Sequence, residues 1–315
     1  MKLSLADVWE ALSGTPWPDP DPGFRRAFSA VVIDSRQAEA RSLFVALPGE
    51  RTDGHNFVAH ALSRGAVAAL VDRPVDVPYP VLVPARPQEL GQIAAGVPVC
   101  IQVENTLAAL QQVATGWRAR FNLRVVGITG SVGKTTTKEI TALVLAQRYR
   151  TLKSRGNLNN EIGLPLTLLQ LDDSYQRLVL EMGMYDVGEI AQLCRMARPH
   201  VGVVTNVGPV HLERAGSIER IAQGKAELVH ALPADGVAIL NADDPRVAAM
   251  AGKTQARVFR YGLSPTCDLW ADQIVSEGLE GIRFRFHYGS DVVHVRVPLL
   301  GRHSVHTALR AASVG

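Results

Sequence analysis

Apolar and polar positions follow two rhythms along this chain. Short apolar runs at 30–33, 43–47 and 67–71 predict strands, and 57–65 sets Phe57, Ala61 and Leu62 on one helical face. That alternation predicts a small α/β domain over 1–102. Four prolines within 16–23 interrupt it early and predict a surface loop. Helical spacing returns at 106–121, with Leu107, Leu110, Val113, Ala114 and Trp117 on one side. It opens a second domain, 103–315. There, apolar strands at 123–129, 178–181, 201–206 and 237–241 alternate with helices at 135–147, 188–197 and 218–231. Strands of this kind, interleaved with helices, predict a mostly parallel sheet covered on both faces. Ligands of such sheets bind at the carboxyl ends of the strands. An Ala-rich helix is predicted at 304–314.

Composition narrows the class. Hydrophobic residues make up 47% and charged residues 20% of 315, which excludes disorder and suits two globular domains. The net charge is +3, and the basic residues are scattered, so nucleic acid is not expected as a partner. Cys100, Cys194 and Cys267 are widely spaced with no CxxC pair, against a disulfide framework or a zinc site. The N-terminal segment carries Asp7 and Glu10 and lacks a signal-peptide core, and no apolar run approaches the ~20 residues of a membrane helix. A cytoplasmic protein without a membrane partner is expected.

The strongest local signal is Gly127-Ile-Thr-Gly-Ser-Val-Gly-Lys-Thr-Thr-Thr137, which follows an apolar strand and opens a helix. Gly130 and Gly133 let backbone N–H groups turn toward phosphate oxygens, and the helix N-terminus adds partial positive charge. Lys134 can reach terminal phosphates, and Thr135 or Thr136 can offer a hydroxyl to Mg²⁺. The spacing departs from the strict pattern, which has its first Gly where this chain has Ile128. At other strand ends stand Glu181, a carboxylate suited to Mg²⁺, the pair Thr205 and Asn206, and Asn241 with Asp243 and Asp244. His211 follows and could ligate a metal or be structural. On its spacing alone, Lys225 reads as an ordinary solvated lysine.

Together these residues resemble the Mur ligase family, and within it the branch that joins D-alanyl-D-alanine to UDP-N-acetylmuramoyl-tripeptide. In the first domain, Asp34-Ser35-Arg36 resembles the motif that contacts the uridine end of the substrate, and Asp53, Gly54 and His55 resemble the segment completing that site. In the second, Thr129, Gly130, Ser131, Gly133, Lys134, Thr135 and Thr136 match the family's ATP loop, to which Asn206 is added. Asn157, Asn159 and Asn160 match the branch's asparagine-rich run and are expected to bind substrate. The resemblance implies Mg²⁺ held by Thr135, Glu181, His211 and Lys225, the last as a carbamate. It assigns Lys134, Lys225 and His211 to catalysis, with ATP activating a carboxylate as an acyl phosphate. A monomer is expected.

Two departures accompany it. The family has a third, C-terminal Rossmann-like domain that this chain is expected to lack. Where the family reads Gly-x-His-Asn-Val-x-Asn near the adenine, this chain has Gly301-Arg-His-Ser-Val-His-Thr307. Hydroxyls there replace amides that pair a donor with an acceptor. Two other readings compete: a folylpolyglutamate- or cyanophycin-type ligase of the same superfamily, and a non-catalytic module that binds nucleotide or precursor.

Overall fold

The computed structural model describes residues 2–19, 21–49, 52–89, 93–209 and 216–315. The chain divides into two compact units. The first comprises Met1–Phe121 with Pro165–Asp173, and the second Asn122–Leu164 with Ser174–Gly315. The division therefore falls after the 106–121 helix rather than at 102, and the cause is packing. Asn105 caps the Thr106–Ala119 helix, and the helix buries Leu110, Val113 and Ala114. Gln112 then donates to the Ala11 carbonyl of the N-terminal helix Leu5–Ser13, while Trp117 Nε1 donates to Leu171 O at 3.1 Å.

In the first unit, the described strands are β1 (Val31–Val32), β2 (Leu43–Val45), β3 (Ala68–Val71), β4 (Val81–Leu82) and β5 (Val99–Gln102). They form a parallel sheet in the order β1-β2-β3-β5-β4. Phe44, Ala69, Val71 and Cys100 pack with Val58, Ala61 and Leu62 of the short helix Val58–Ser63.

The second unit carries β6 (Arg124–Thr129), β7 (Thr151–Lys153), β8 (Arg177–Glu181), β9 (Val201–Val204), β10 (Val237–Asn241), β11 (Arg257–Gly262), β12 (Leu269–Ser276), β13 (Ile282–Tyr288) and β14 (Asp291–Val297). Their order is β14-β13-β12-β11-β10-β9-β6-β8-β7. Pairing is parallel from β7 to β12 and antiparallel through β13 and β14. Successive side chains on a strand face opposite ways. Val203 and Ile239 accordingly join one core with the helices Lys134–Ala146 and His303–Val314, while Val204, Ala238 and Leu240 join another beneath the helix Ile218–His230. Both faces are covered, which is why these strands read as continuous apolar runs. Parallel register sets Ile128 beside Glu181, Thr129 beside Val204, and Leu240 beside Val204. The strand ends thus lie level at one edge.

The antiparallel extension β12–β14 was not among the elements expected from the sequence. It supplies Ile282 and Phe284 to the core under the His303–Val314 helix. Among the described residues, no helix is long and apolar enough to cross a membrane. Phe284 is almost fully buried. Phe284→Ala is expected to destabilise the second unit by about 3–5 kcal/mol, through lost transfer energy and an unfilled cavity. A urea titration followed by a probe in that unit measures it, and a cost below 1 kcal/mol would show that the extension packs loosely.

Candidate functional site

The loop after β6 is shaped by two glycines. Gly130 has φ +145, and a Cβ there would lie 1.8 Å from Thr205 Oγ1. Gly133, at φ +82, starts the Lys134–Ala146 helix with no side-chain cap. Its first-turn N–H groups are therefore left to face a ligand. Six hydrogen bonds among the described residues tie the loop to the segment that follows β9. Asn206 accepts from Val132 N and donates to Val132 O, both at 3.0 Å, while Thr205 Oγ1 donates to Val132 O at 2.7 Å. Ser131 N donates to Asn206 O, and Ser131 Oγ exchanges hydrogen bonds with Gly208. Thr129 Oγ1 donates to Met182 O, tying β6 to the exit of β8.

A cavity of about 180 Å³ lies on one flank of this loop, lined by Gly130, Lys134, Asn157, Asn159, Asn160 and Lys225, among others. Lys134 folds back so that Nζ donates to Gly130 O at 2.9 Å. Burial lowers its pKa, and the charge of Glu181 opposes that. Glu181 is 3% exposed. Its Oε2 accepts from Thr135 Oγ1 at 2.8 Å and its Oε1 from Asn159 Nδ2 at 2.9 Å. Asn160 Oδ1 accepts from Gly163 N, fixing the turn, while Asn157 stands exposed at the cavity edge. Thr136 is exposed on the first helical turn and lines a different hollow, beside Val132.

Lys225 is the residue whose setting differs most from its reading by spacing. It is 3% exposed on the buried face of its helix and opens into the cavity. Burial, reinforced by the nearby charge of Lys134, brings its pKa down to about 8. Such an amine has a larger neutral, nucleophilic fraction close to physiological pH than a free lysine. His211, expected as a metal ligand and catalytic group, lies outside the described residues.

Among the described residues, no cluster of three His, Cys, Asp or Glu side chains is arranged to hold a metal. Glu181 and Thr135 nevertheless present a carboxylate and a hydroxyl together at the loop. That hard-oxygen pair fits Mg²⁺, which commonly takes one or two protein ligands and completes its shell with water and phosphate oxygens.

The first unit holds a separate cavity of about 710 Å³, lined by Asp34, Ser35, Arg36, Gly54, Phe57 and His60, among others. Asp34 accepts from Arg36 N and from its guanidinium, which brings its carboxyl down to about 2. Ser35 Oγ meets His60 Nδ1 at 3.0 Å. Asp53 and His55 do not line this cavity. His55 is buried between Asp53 Oδ1, at 2.7 Å from Nδ1, and Asp72 N, which donates to Nε2 at 3.0 Å. The His55 N–H and the Arg73 guanidinium hold the Asp53 carboxyl well below its ordinary range. This pair braces the segment that is expected to complete the substrate site.

Sequence reasoning passed over His60, which lines the first cavity, and Lys138. Lys138 is fully buried, with Nζ 2.9 Å from Gly156 O and 3.8 Å from Glu181 Oε2. It lies four residues after Lys134, one helical turn on, and that spacing was a usable signal.

Lys225 has a folded pKa near 8 against 10.5 for a free lysine. Below pH 8 the folded state therefore carries the full cost of a buried ammonium, and that cost fades as pH rises toward 10.5. Lys225→Met is expected to be more stable than the parent by about 2–3 kcal/mol at neutral pH. The gap should close as pH rises. Urea titrations across that range measure it, and a gap independent of pH would mean that Lys225 titrates normally.

Comparison with known proteins agrees with this arrangement. Residues 128–315 match the model described as Mur ligase middle domain, and 27–118 the one described as Mur ligase family, catalytic domain. The UDP-N-acetylmuramoyl-tripeptide–D-alanyl-D-alanine ligase of Mycobacterium tuberculosis is 41% identical, over all of this chain and 62% of its own length. That of Bacillus subtilis is 37% identical, over all of this chain and 64% of its own length. Among solved structures, a MurF crystal structure from Acinetobacter baumannii has a TM-score of 0.83 at 30% identity, covering 99% of this chain and 64% of that one. MurF from Thermotoga maritima, in complex with ADP, has a TM-score of 0.75 at 28% identity, covering 90% and 62%. The chain thus spans somewhat less than two thirds of these relatives' length. With a middle-domain match over more than half its residues, laid on the loop, strand ends and lysines just described, the chain belongs to the Mur ligase family.

Proposed function

We propose that the chain provides the precursor-binding and ATP-binding parts of a cytoplasmic amide ligase. This ligase joins D-alanyl-D-alanine to UDP-N-acetylmuramoyl-tripeptide at the expense of ATP, in peptidoglycan precursor synthesis. The observation that carries this reading is the convergence of Lys134, Glu181, Asn159 and the buried Lys225 around one uncapped helix N-terminus. The names of the relatives supply the substrates.

The chemistry follows from charge. The loop amides and Lys134 hold the β- and γ-phosphates. An oxygen of the tripeptide's terminal carboxylate attacks the γ-phosphorus, the bond to the bridging oxygen breaks, and ADP leaves. The acyl phosphate is then attacked at its carbonyl carbon by the amine of D-alanyl-D-alanine. The tetrahedral intermediate expels phosphate, and the amine gives up a proton. Thr135 and Glu181 are the described residues that would hold Mg²⁺, and His211 is added to them by resemblance. Mg²⁺ bound there would neutralise charge on the phosphates. Lys225, with its depressed pKa, suits addition of CO₂ to its neutral amine. The resulting carbamate would replace a cation repelled by Lys134 with an anion attracted to it. Asn159 positions Glu181, and Asn157 and Asn160 border the acceptor side. The cavity around Ser35, Arg36 and His60 is assigned to the uridine diphosphate end, where hydroxyl and guanidinium donors suit uracil and phosphate.

The test is to incubate the chain with MgATP, UDP-N-acetylmuramoyl-tripeptide and D-alanyl-D-alanine and to follow the pentapeptide product by mass spectrometry. Product is expected, and Lys134→Ala should lower turnover by roughly 10²–10³-fold, the scale of one preorganised electrostatic contact. Near-normal turnover in that variant would overturn the assignment of Lys134. Absence of product from a folded chain that still binds the tripeptide nucleotide and ATP would keep the binding assignment and overturn turnover by these parts alone, and absence of binding would overturn the reading.

A further inference from the structure

A second hollow, of about 630 Å³, lies on the other flank of the loop, bordered by Val132, Gly133 and Thr136. That is room enough for a small ligand. Val132 and Leu300 are exposed apolar side chains at its rim. Most polar groups facing it are already engaged. Asn206 binds both ends of Val132. Asn241 donates to Thr205 O and accepts from Asp243 N. Ser304 Oγ donates to Leu300 O.

Arg310 is different. It lines the hollow and is only 4% exposed. Its Nη2 donates to Thr307 Oγ1 at 2.7 Å, the same atom would lie 3.2 Å from a Cβ on Gly133, and the guanidinium also engages the buried Tyr261 hydroxyl. Its Nε is buried with no acceptor, and among the described residues no carboxylate pairs with the guanidinium. A buried donor without a partner is costly and rare in native proteins. A bound ligand with acceptor atoms would relieve it.

We propose that Arg310 is a nucleoside-binding residue, whose guanidinium donates to acceptor atoms of the base or ribose of the purine nucleotide held by the Lys134 loop. This rests on the ATP reading above and deepens it. Two observations assign the residue to the nucleoside end. Lys134 and Glu181 define the phosphate end on the opposite flank, and Arg310 shares its hollow with apolar rim side chains suited to the plane of a base. Thr307, which stands where the family pattern has an amide, accepts from Arg310 and so orients it. The guanidinium thereby supplies donors at the position where the amide's are missing.

Calorimetric titration of the whole chain with MgADP and with magnesium tripolyphosphate, a ligand lacking base and ribose, tests this. Arg310→Ala is expected to weaken ADP about tenfold, the scale of one hydrogen bond to a charged donor, and to leave tripolyphosphate within about twofold. Arg310→Lys keeps the charge and loses the Nε donor. It should weaken ADP severalfold with tripolyphosphate again unchanged, and it carries the comparison should the alanine variant unfold. Lys134→Ala should weaken both ligands. Unaltered ADP binding in both Arg310 variants, or equal loss of the two ligands, would overturn the proposal. Parent chain that binds tripolyphosphate but not ADP would overturn it while sparing the phosphate loop, and binding of neither would overturn the ATP reading itself.

Discussion

The candidate site depends on the backbone of one residue being held from both sides. The side chain of Asn206 accepts from the N–H of Val132 and donates to its carbonyl, and Thr205 adds a second donor to that carbonyl. Val132 sits at the tip of a loop whose neighbours, Gly130 and Gly133, adopt conformations that exert little restraint of their own. Without the amide, the loop would be free to turn its N–H groups away. With it, the loop is anchored to the end of β9, and the geometry of the loop becomes a property of the sheet.

The sheet also explains how charges of like sign are gathered. Lys134, Lys138 and Lys225 all lie near Glu181 or near one another, and Lys138 and Lys225 are buried. Glu181, and Glu139 at 3.3 Å from Lys138 Nζ, do not balance three ammonium groups, since Glu139 also pairs with Lys153. The surplus is tolerable because Lys134 and Lys138 rest on backbone carbonyls, at Gly130 and Gly156, while Lys225 is shifted toward its neutral form. Such a centre is electrostatically suited to polyanions, which a solvated lysine patch of the same formal charge would hold more weakly.

Much of this was legible in the sequence, for physical reasons. Strands buried on both faces need unbroken apolar runs, so β6, β8, β9 and β10 stood out. The loop stood out because its backbone demands glycine and its chemistry demands lysine. The antiparallel strands were missed because one face is solvated and arginines interrupt the apolar positions. The alternation in Ile282–Tyr288, followed by Gly289 and Ser290 before the next strand, nevertheless carried a hairpin signal. His55 entered the expected substrate segment through the family resemblance, and its place in a buried hydrogen-bond chain is a tertiary feature that the string of letters does not carry. Lys225 and Arg310 could not be singled out by spacing, since the depth of a helical face is a tertiary property. The asparagine run was legible only in part. Asn159 reaches Glu181, while Asn160 serves its own turn.

The level alignment of strand ends carries a further implication. Glu181 reaches the loop because it pairs with Ile128 in a given parallel register, and side chains on a strand change face at every step. A single residue inserted within β8 would leave every catalytic-looking motif intact as a string of letters. It would nonetheless turn the carboxylate toward the opposite side of the sheet and bring a neighbour into its place. Motif identity and site integrity are thus separable in this fold. A chain could keep all its signature residues and lose the site by a slip of about 3.3 Å along one strand.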